Sequence, residues 1–263
     1  MERKTALVTG ASAGIGEAFA NLLAAEGFDL VVTARREDRL QTLSDSLTER
    51  YGVQVRIFPL DLATPDGPQR LYDGLQDANQ PIELLVNNAG VGSVGRFEAL
   101  DHVRQRQMID VNVGALTGLA RLFLPNMKLR ARGGIINVAS TAAFQSGPFM
   151  AVYYASKAYV LSFSEALSEE CRGTGVTVTC LCPGVTATEF FEVAGFRDMP
   201  LYRFGVMDAA QVVQRGYEGW RAGRVVVLPG LHNQILVWGS TFLPRAVTRR
   251  VVRALQVKSG AVD

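Results

Sequence analysis

Seven short runs rich in Val, Ile and Leu recur along the chain, at residues 6–8, 30–33, 53–58, 84–86, 135–138, 176–179 and 225–227. Continuously apolar runs of this length read as strands buried on both faces, the environment of a parallel sheet. Longer stretches with apolar residues at helical spacing lie between them. Residues 16–26 place Phe19, Leu22 and Leu23 on one side, and residues 36–51 do the same with Leu40, Leu43 and Leu47. Residues 65–78 open with Pro65 in a first-turn position. Asp101 is placed to cap a long segment reaching to about residue 130, in which Pro125 is expected to kink or break the helix. A further helix is expected over 153–171. Strand and helix alternating in this way specify an α/β fold with a single doubly wound parallel sheet of about seven strands, helices on both faces and right-handed crossovers. Such sheets bind ligands beyond the carboxyl ends of their strands, where strand order reverses. The residues following each run are therefore where chemistry is expected.

Composition narrows the function classes. A chain of 263 residues, 20% charged, can bury a substantial core without disulfides or metals. A formal net charge of +2 gives no footprint for nucleic acid. The three cysteines, Cys171, Cys180 and Cys182, are too few and too oddly spaced for a disulfide framework or a zinc knuckle. The histidines, His102 and His232, stand far from them in sequence, so no metal is expected and the thiols read as free in a reducing compartment. The apolar stretch 5–9 is too short for a signal peptide, and no unbroken apolar run reaches the ~20 residues of a bilayer span. A soluble cytoplasmic protein is expected, with one qualification at its end. Segment 231–257 mixes Ile235, Leu236, Trp238, Phe242 and Leu243 with Arg245, Arg249, Arg250 and Arg253. That basic amphipathic composition suits a peripheral membrane contact or a partner subunit. The chain accordingly divides into a main domain, 1–230, and a basic amphipathic extension, 231–263.

The first run is followed by Gly10, Ser12, Gly14, Ile15 and Gly16, in the pattern Thr-Gly-x3-Gly-x-Gly. Gly10 suits a tight turn, and Gly14 and Gly16 let backbone approach a pyrophosphate at the start of a helix. No acid follows the second run to hold a ribose 2′-hydroxyl. Arg35 and Arg36 stand there instead, and guanidinium forks suit a 2′-phosphate. Tyr153 and Lys157 are four apart and share a helical face. An ammonium there favours the phenolate, making the pair a usable acid and base. Ser140, just past the fifth run, can hydrogen-bond a substrate oxygen. Asn112 sits inside the long helical segment, where Asn is a poor choice unless something offsets its cost.

Together these motifs resemble the short-chain dehydrogenase/reductase family, over roughly residues 4–230. The resemblance implies a Rossmann-type sheet and an NADP(H)-dependent oxidoreductase interconverting a carbonyl and a secondary alcohol. It implies that Asp61 and Leu62 meet the adenine and that Asn88, Ala89 and Gly90 floor the cofactor site. It implies that Pro183, Gly184, Thr186 and Thr188 hold the nicotinamide carboxamide and a phosphate. Tyr153 would exchange the proton, Ser140 would hold the oxygen, Lys157 would bind the nicotinamide ribose, and Asn112 would hold a water linking the lysine to solvent. Pocket walls are expected from 144–149 and from a lid over 189–206, which contains Phe190, Phe191, Phe196, Tyr202 and Phe204. So many aromatics suggest an apolar or acyl-type substrate, whereas Arg197 and Arg203 could greet an acidic one. The family implies a homodimer or homotetramer formed through the Asn112 and Tyr153 helices. Competing readings are a catalytically silent NADP(H)-binding regulator, a dehydrogenase of a small 3-hydroxy acid, and an epimerase or dehydratase. The last needs a longer substrate domain than 263 residues allow.

Overall fold

The computed structural model describes residues 3–76, 81–190, 194–195 and 205–258. Its strands are β1 (Thr5–Thr9), β2 (Asp29–Ala34), β3 (Val55–Pro59), β4 (Ile82–Asn87), β5 (Gly133–Val138), β6 (Val176–Leu181) and β7 (Val226–Val227). All pair in parallel, in the order β3-β2-β1-β4-β5-β6-β7. The order reverses between β1 and β4, which opens a crevice at the ends of those two strands.

Side chains alternate across the sheet with the two-residue period of a strand. Ala6, Val8, Leu30, Val32, Leu84 and Val86 point to one face, where they meet α1 (Gly14–Ala25), α2 (Glu37–Tyr51) and α7 (Ala209–Arg221) through Phe19, Leu40 and Tyr217. Leu7, Val31, Leu85 and Ile135 point to the other. There they meet α3 (Gly67–Gln76), α5 (Leu116–Leu129) and α6 (Ala151–Glu170) through Leu71, Phe123 and Leu167. Each fully buried Leu or Phe in these layers contributes about 1.5–3 kcal/mol of transfer free energy. A one-residue slip would expose a strand's whole set, which fixes register.

Three local expectations are corrected. The third run is not buried on both faces: β3 is an edge strand whose residues are only half-buried or exposed, and Val53 precedes it. Pro65 lies in the turn before α3, and Pro68 takes the first-turn position instead. Pro125 does not end α5, which runs on to Leu129. Both Pro125 and Arg121, whose carbonyl loses its donor, are exposed, so solvent can take the vacated bond. The irregularity falls earlier, where a π-helical segment (Asp110–Ala115) joins α4 (His102–Ile109) to α5. Asp101 caps α4 as expected, its carboxylate accepting from the N–H groups of Val103 and Arg104 at 3.1 and 3.3 Å. The continuous run His102–Leu129 has the length and composition of a bilayer span. Its Leu119, Phe123 and Met127 are nevertheless built into the core against the sheet.

The chain closes with α8 (Leu231–Phe242) and α9 (Arg245–Lys258). Both lie across the carboxyl end of the sheet, where Asn233, Thr248 and Gln256 are buried.

Candidate active site

The turns after β1 through β6 open into one cavity of about 870 Å³. The turn between β1 and α1 is braced from the end of β4. Thr9 Oγ1 accepts from the N–H groups of Asn88 and Ala89, both at 2.9 Å. Asn88 Nδ2 donates to the carbonyls of Thr9 and Gly10 at 3.0 and 3.3 Å. Gly10 and Gly14 adopt φ of +66° and +58°, which disfavour a side chain. A Cβ on Gly16 would overlap the Gly10 carbonyl and the Asn88 amide. Ala13, the residue capping α1, offers no side-chain acceptor, so the first-turn N–H groups stay available to an anion. Ser12, Ile15, Ala89 and Gly90 line the cavity beside this turn. A glycine cradle and an uncapped helix start fit a pyrophosphate.

Beside it stands a cationic corner. Arg35 and Arg36 line the cavity past β2, as the sequence implies. Arg36 donates to Ser12 Oγ from Nε and Nη2 at 3.3 and 3.2 Å. Its Nη1 reaches Glu189 Oε2 at 3.1 Å, and Arg39 Nη1 reaches Glu189 Oε1 at 2.6 Å. Arg39, and behind it Arg36, hold the Glu189 carboxyl below the usual carboxylate range. Neither Arg39 nor Glu189 was marked by the sequence reading; Glu189 lies 153 positions from Arg36. Asp61 and Leu62 also line the cavity, and Asp61 Oδ1 accepts from the Ala63 N–H at 2.9 Å, shaping a turn well short of α3.

The proton-transfer groups sit at the start of α6. Tyr153 and Lys157 are one turn apart, and Lys157 Nζ lies 5.8 Å from the tyrosine ring centroid. Ser140, just past β5, lines the cavity with Tyr153 and accepts from the Ala142 N–H at 3.1 Å. The expectation that Lys157 holds the phenol partly ionised is not met by the chain alone. Burial raises Tyr153 far above the ordinary phenol value, and the nearby Ser140 hydroxyl opposes the shift. Lys157 Nζ instead donates to the Val138 carbonyl at 2.9 Å, and burial pushes it down to about 8. Burial thus favours the neutral phenol and weakens, without removing, the lysine charge.

Asn112 lies in the π-helical segment and is buried. Its Oδ1 accepts from the Val91 N–H at 2.9 Å, and its Nδ2 donates to the Val91 carbonyl and to Ser156 Oγ, both at 3.0 Å. This is what offsets the cost of an Asn inside a helix. It also commits the amide to protein groups on both sides, so the side chain anchors the loop after β4. A Cβ on the intervening Gly90 would lie 3.3 Å from Asn112 Oδ1 and 3.5 Å from Lys157 Nζ, so both side chains converge on that glycine. A parallel chain runs deeper: Asn87 Nδ2 to Asn137 Oδ1 at 2.9 Å, then Asn137 Nδ2 to Ser164 Oγ at 3.0 Å, tying β4, β5 and α6 together.

After β6, Pro183, Gly184, Thr186 and Thr188 line the opposite wall. Thr186 Oγ1 donates to the Gly184 carbonyl at 3.1 Å. Thr188 rests on the glycine turn, where a Cβ on Gly14 would come within 2.8 Å of its methyl. The cofactor residues marked from sequence therefore surround one cavity, except Gly16, which packs behind the turn against Gly10 and Asn88.

The substrate end departs from expectation. Within 144–149 only Gln145 lines the cavity. Phe144 packs against the buried Ala143 and Val160 core, and the Phe149 ring lies 5.9 Å from the Arg253 guanidinium. Within 189–206, Glu189, Phe190 and Gly205 line it, while Phe191, Phe196, Arg197, Tyr202, Arg203 and Phe204 fall outside the described residues. Much of the wall comes from α8 and α9, which the sequence reading set apart from the site. Leu236, Leu243, Val251, Val252 and Leu255 supply apolar surface there. Asn233 packs on Gly184 so closely that a Cβ on the glycine would overlap its amide. Tyr154 packs on the Met150 cluster, lines the cavity and accepts from Gln256 Nε2 at 3.4 Å. The available signal was Thr248, Val252 and Gln256 at four-residue spacing, a face too polar to read as core.

The family model for short chain dehydrogenases matches residues 4–195. Among characterised relatives, the 7beta-hydroxysteroid dehydrogenase of Clostridium sardiniense is 33% identical over 182 residues, covering 69% of each chain. Among solved structures, a short-chain dehydrogenase from Sphingobium yanoikuyae in complex with NADPH superposes with a TM-score of 0.81 at 31% identity, covering 90% of this chain and 93% of that one. A short-chain dehydrogenase/reductase from Burkholderia phymatum in complex with NAD gives 0.82 at 28% identity, covering 90% and 92%.

Proposed function

The chain belongs to the short-chain dehydrogenase family, and from that premise we propose an NADP(H)-dependent oxidoreductase that interconverts an apolar carbonyl compound and its secondary alcohol. The observation that carries the reading is Tyr153 with the Lys157 ammonium 5.8 Å from its ring, lining with Ser140 the same cavity as the glycine cradle.

The β1–α1 turn and the first N–H groups of α1 hold the cofactor pyrophosphate, Arg35 and Arg36 its 2′-phosphate, and Asp61 and Leu62 its adenine. Asn88, Ala89 and Gly90 floor the site. Tyr153 and Lys157 meet the nicotinamide ribose, and Pro183, Gly184, Thr186 and Thr188 the carboxamide and neighbouring phosphate. Bound there, NADP(H) supplies or accepts the hydride. Ser140 donates a hydrogen bond to the substrate oxygen and stabilises charge growing on it. Tyr153 gives that oxygen its proton. Burial favours the neutral phenol, the form that can donate its proton to a carbonyl oxygen. Lys157, with its ammonium near the ring, favours the phenolate left after transfer. Asn112 fixes the loop that carries Gly90 past the lysine.

Arg36 beside Ser12, with no acid ending β2, supports a 2′-phosphate over a free ribose hydroxyl. The apolar cavity wall supports a bulky hydrophobic substrate, in keeping with the steroid-active relative. The test is NADPH consumption against steroid ketones, retinoids, ketoacyl thioesters and small 3-oxo acids. Tyr153→Phe should lower turnover by more than about 100-fold while NADPH still binds by fluorescence titration. Undiminished reduction by that variant would overturn the mechanism, and equal NADPH and NADH affinities would overturn the cofactor assignment.

A further inference from the structure

Helix α8 is built the wrong way round for a helix packed on a protein core. Its buried positions are Asn233 and Val237, with Ser240 half-buried on the same side. At 3.6 residues per turn, the opposite side carries Leu231, Ile235, Trp238 and Phe242. Those four side chains are between 63% and 84% exposed. Surface helices normally show the reverse pattern. The adjoining α9 repeats the theme with exposed Val247, Val251 and Leu255 at four-residue spacing. Ten of the seventeen large apolar side chains exposed among the described residues fall between Leu231 and Val257. A concentration of this kind marks an interaction surface.

The charge of the same segment selects the partner. Arg245, Arg249, Arg250 and Arg253 are all exposed on α9. Residues 231–258 contain no Asp or Glu, although the whole chain holds 25 acidic residues against 27 basic ones. A second copy of this chain would bring the same four arginines up to one another. An apolar stripe flanked by arginines and carrying a tryptophan matches the boundary between anionic headgroups and acyl chains. We propose that α8 and α9 dock the protein peripherally on an anionic lipid bilayer, with Leu231, Ile235, Trp238 and Phe242 entering the headgroup boundary and the α9 arginines meeting lipid phosphate and carboxylate groups. Leu236, Leu243, Val251 and Leu255 line the cavity and are also exposed, so docking sets the cavity rim against the lipid.

Docking is read without turnover, so its failure is separable from failure of the proposed chemistry. Full-length protein is floated with vesicles of phosphatidylcholine alone and with about 30% phosphatidylserine. Wild type should float with the anionic vesicles, blue-shift its tryptophan emission and release in high salt. Trp238→Ser/Phe242→Ser and Arg249→Glu/Arg250→Glu should each lose at least about ten-fold in vesicle affinity. Both alter exposed side chains outside the cavity, so NADPH affinity should stay at the wild-type value and report an intact fold. Absence of wild-type flotation, or flotation undiminished in both variants, would overturn the proposal. So would an oligomer in sedimentation that the Trp238/Phe242 variant splits, which would assign the face to a second copy.

Discussion

Lys157 carries an ammonium into a site where burial opposes charge, and the fold bears that cost at neutral pH. Its ordinary value of 10.5 falls to about 8 in the folded chain. Between those values the unfolded chain binds the extra proton, so stability from this group rises with pH across that window and is least below about 8. Lys157→Met should therefore melt higher than wild type at pH 7, by a few kcal/mol, with the margin shrinking toward pH 10 as calorimetry follows both proteins. The same variant should lose reductase turnover. Glu189 poses a second question of charge. It occupies the Arg36 guanidinium that we propose for a 2′-phosphate, together with Arg39 beside it. Glu189→Gln should tighten NADPH binding a few-fold and leave NADH binding unchanged; the effect is small because both pairs are about 40% exposed. Tyr153, Lys157 and Ser140 were legible because helical spacing and strand ends are written locally. The Glu189 contact was not, because only the folded sheet brings it to Arg36. The burial of the phenol was not legible for a related reason: a neighbouring charge can be read from spacing, whereas desolvation depends on everything packed around the pair.

The π-helical segment between α4 and α5 shows what one irregular element achieves. It turns Asn112 toward the loop after β4, where the amide satisfies both polar groups of Val91. Asn112→Leu keeps the volume and leaves those groups without side-chain partners, so it should destabilise the fold by roughly 2–4 kcal/mol, measured by urea unfolding. It should also disturb the loop carrying Gly90 and raise the KM for cofactor. Most elements could be anticipated, since each strand is an apolar run and each long helix an amphipathic one. The exceptions have physical causes. β3 looked like a buried strand because an apolar run does not reveal that it will sit at a sheet edge. Pro125 looked like a break because its effect depends on whether the orphaned carbonyl reaches solvent. The π segment left only one trace in the sequence, an Asn where helices disfavour it.

At the scale of the molecule, one sheet sets every motif at a single mouth, and the last two helices cover it. Composition alone read residues 231–257 as an appendage, because a helix with Asn and Ser on its inner face and Trp and Phe on its outer face does not resemble a cavity wall. Filling that wall should change selectivity without touching proton transfer. Val251→Trp, at a half-exposed position lining the cavity, should lower kcat/KM for bulky ketones by at least about ten-fold and spare a small ketone, as competition between the two would reveal. An equal loss for both would place Val251 outside the substrate path. Tyr153 and Lys157, the proposed proton-transfer pair, precede position 158, while much of the far wall follows position 230. On the proposed function, reaction and preference are encoded largely in separate stretches of the chain. Recombination that exchanges only the closing stretch can hand the same proton-transfer machinery a new diet.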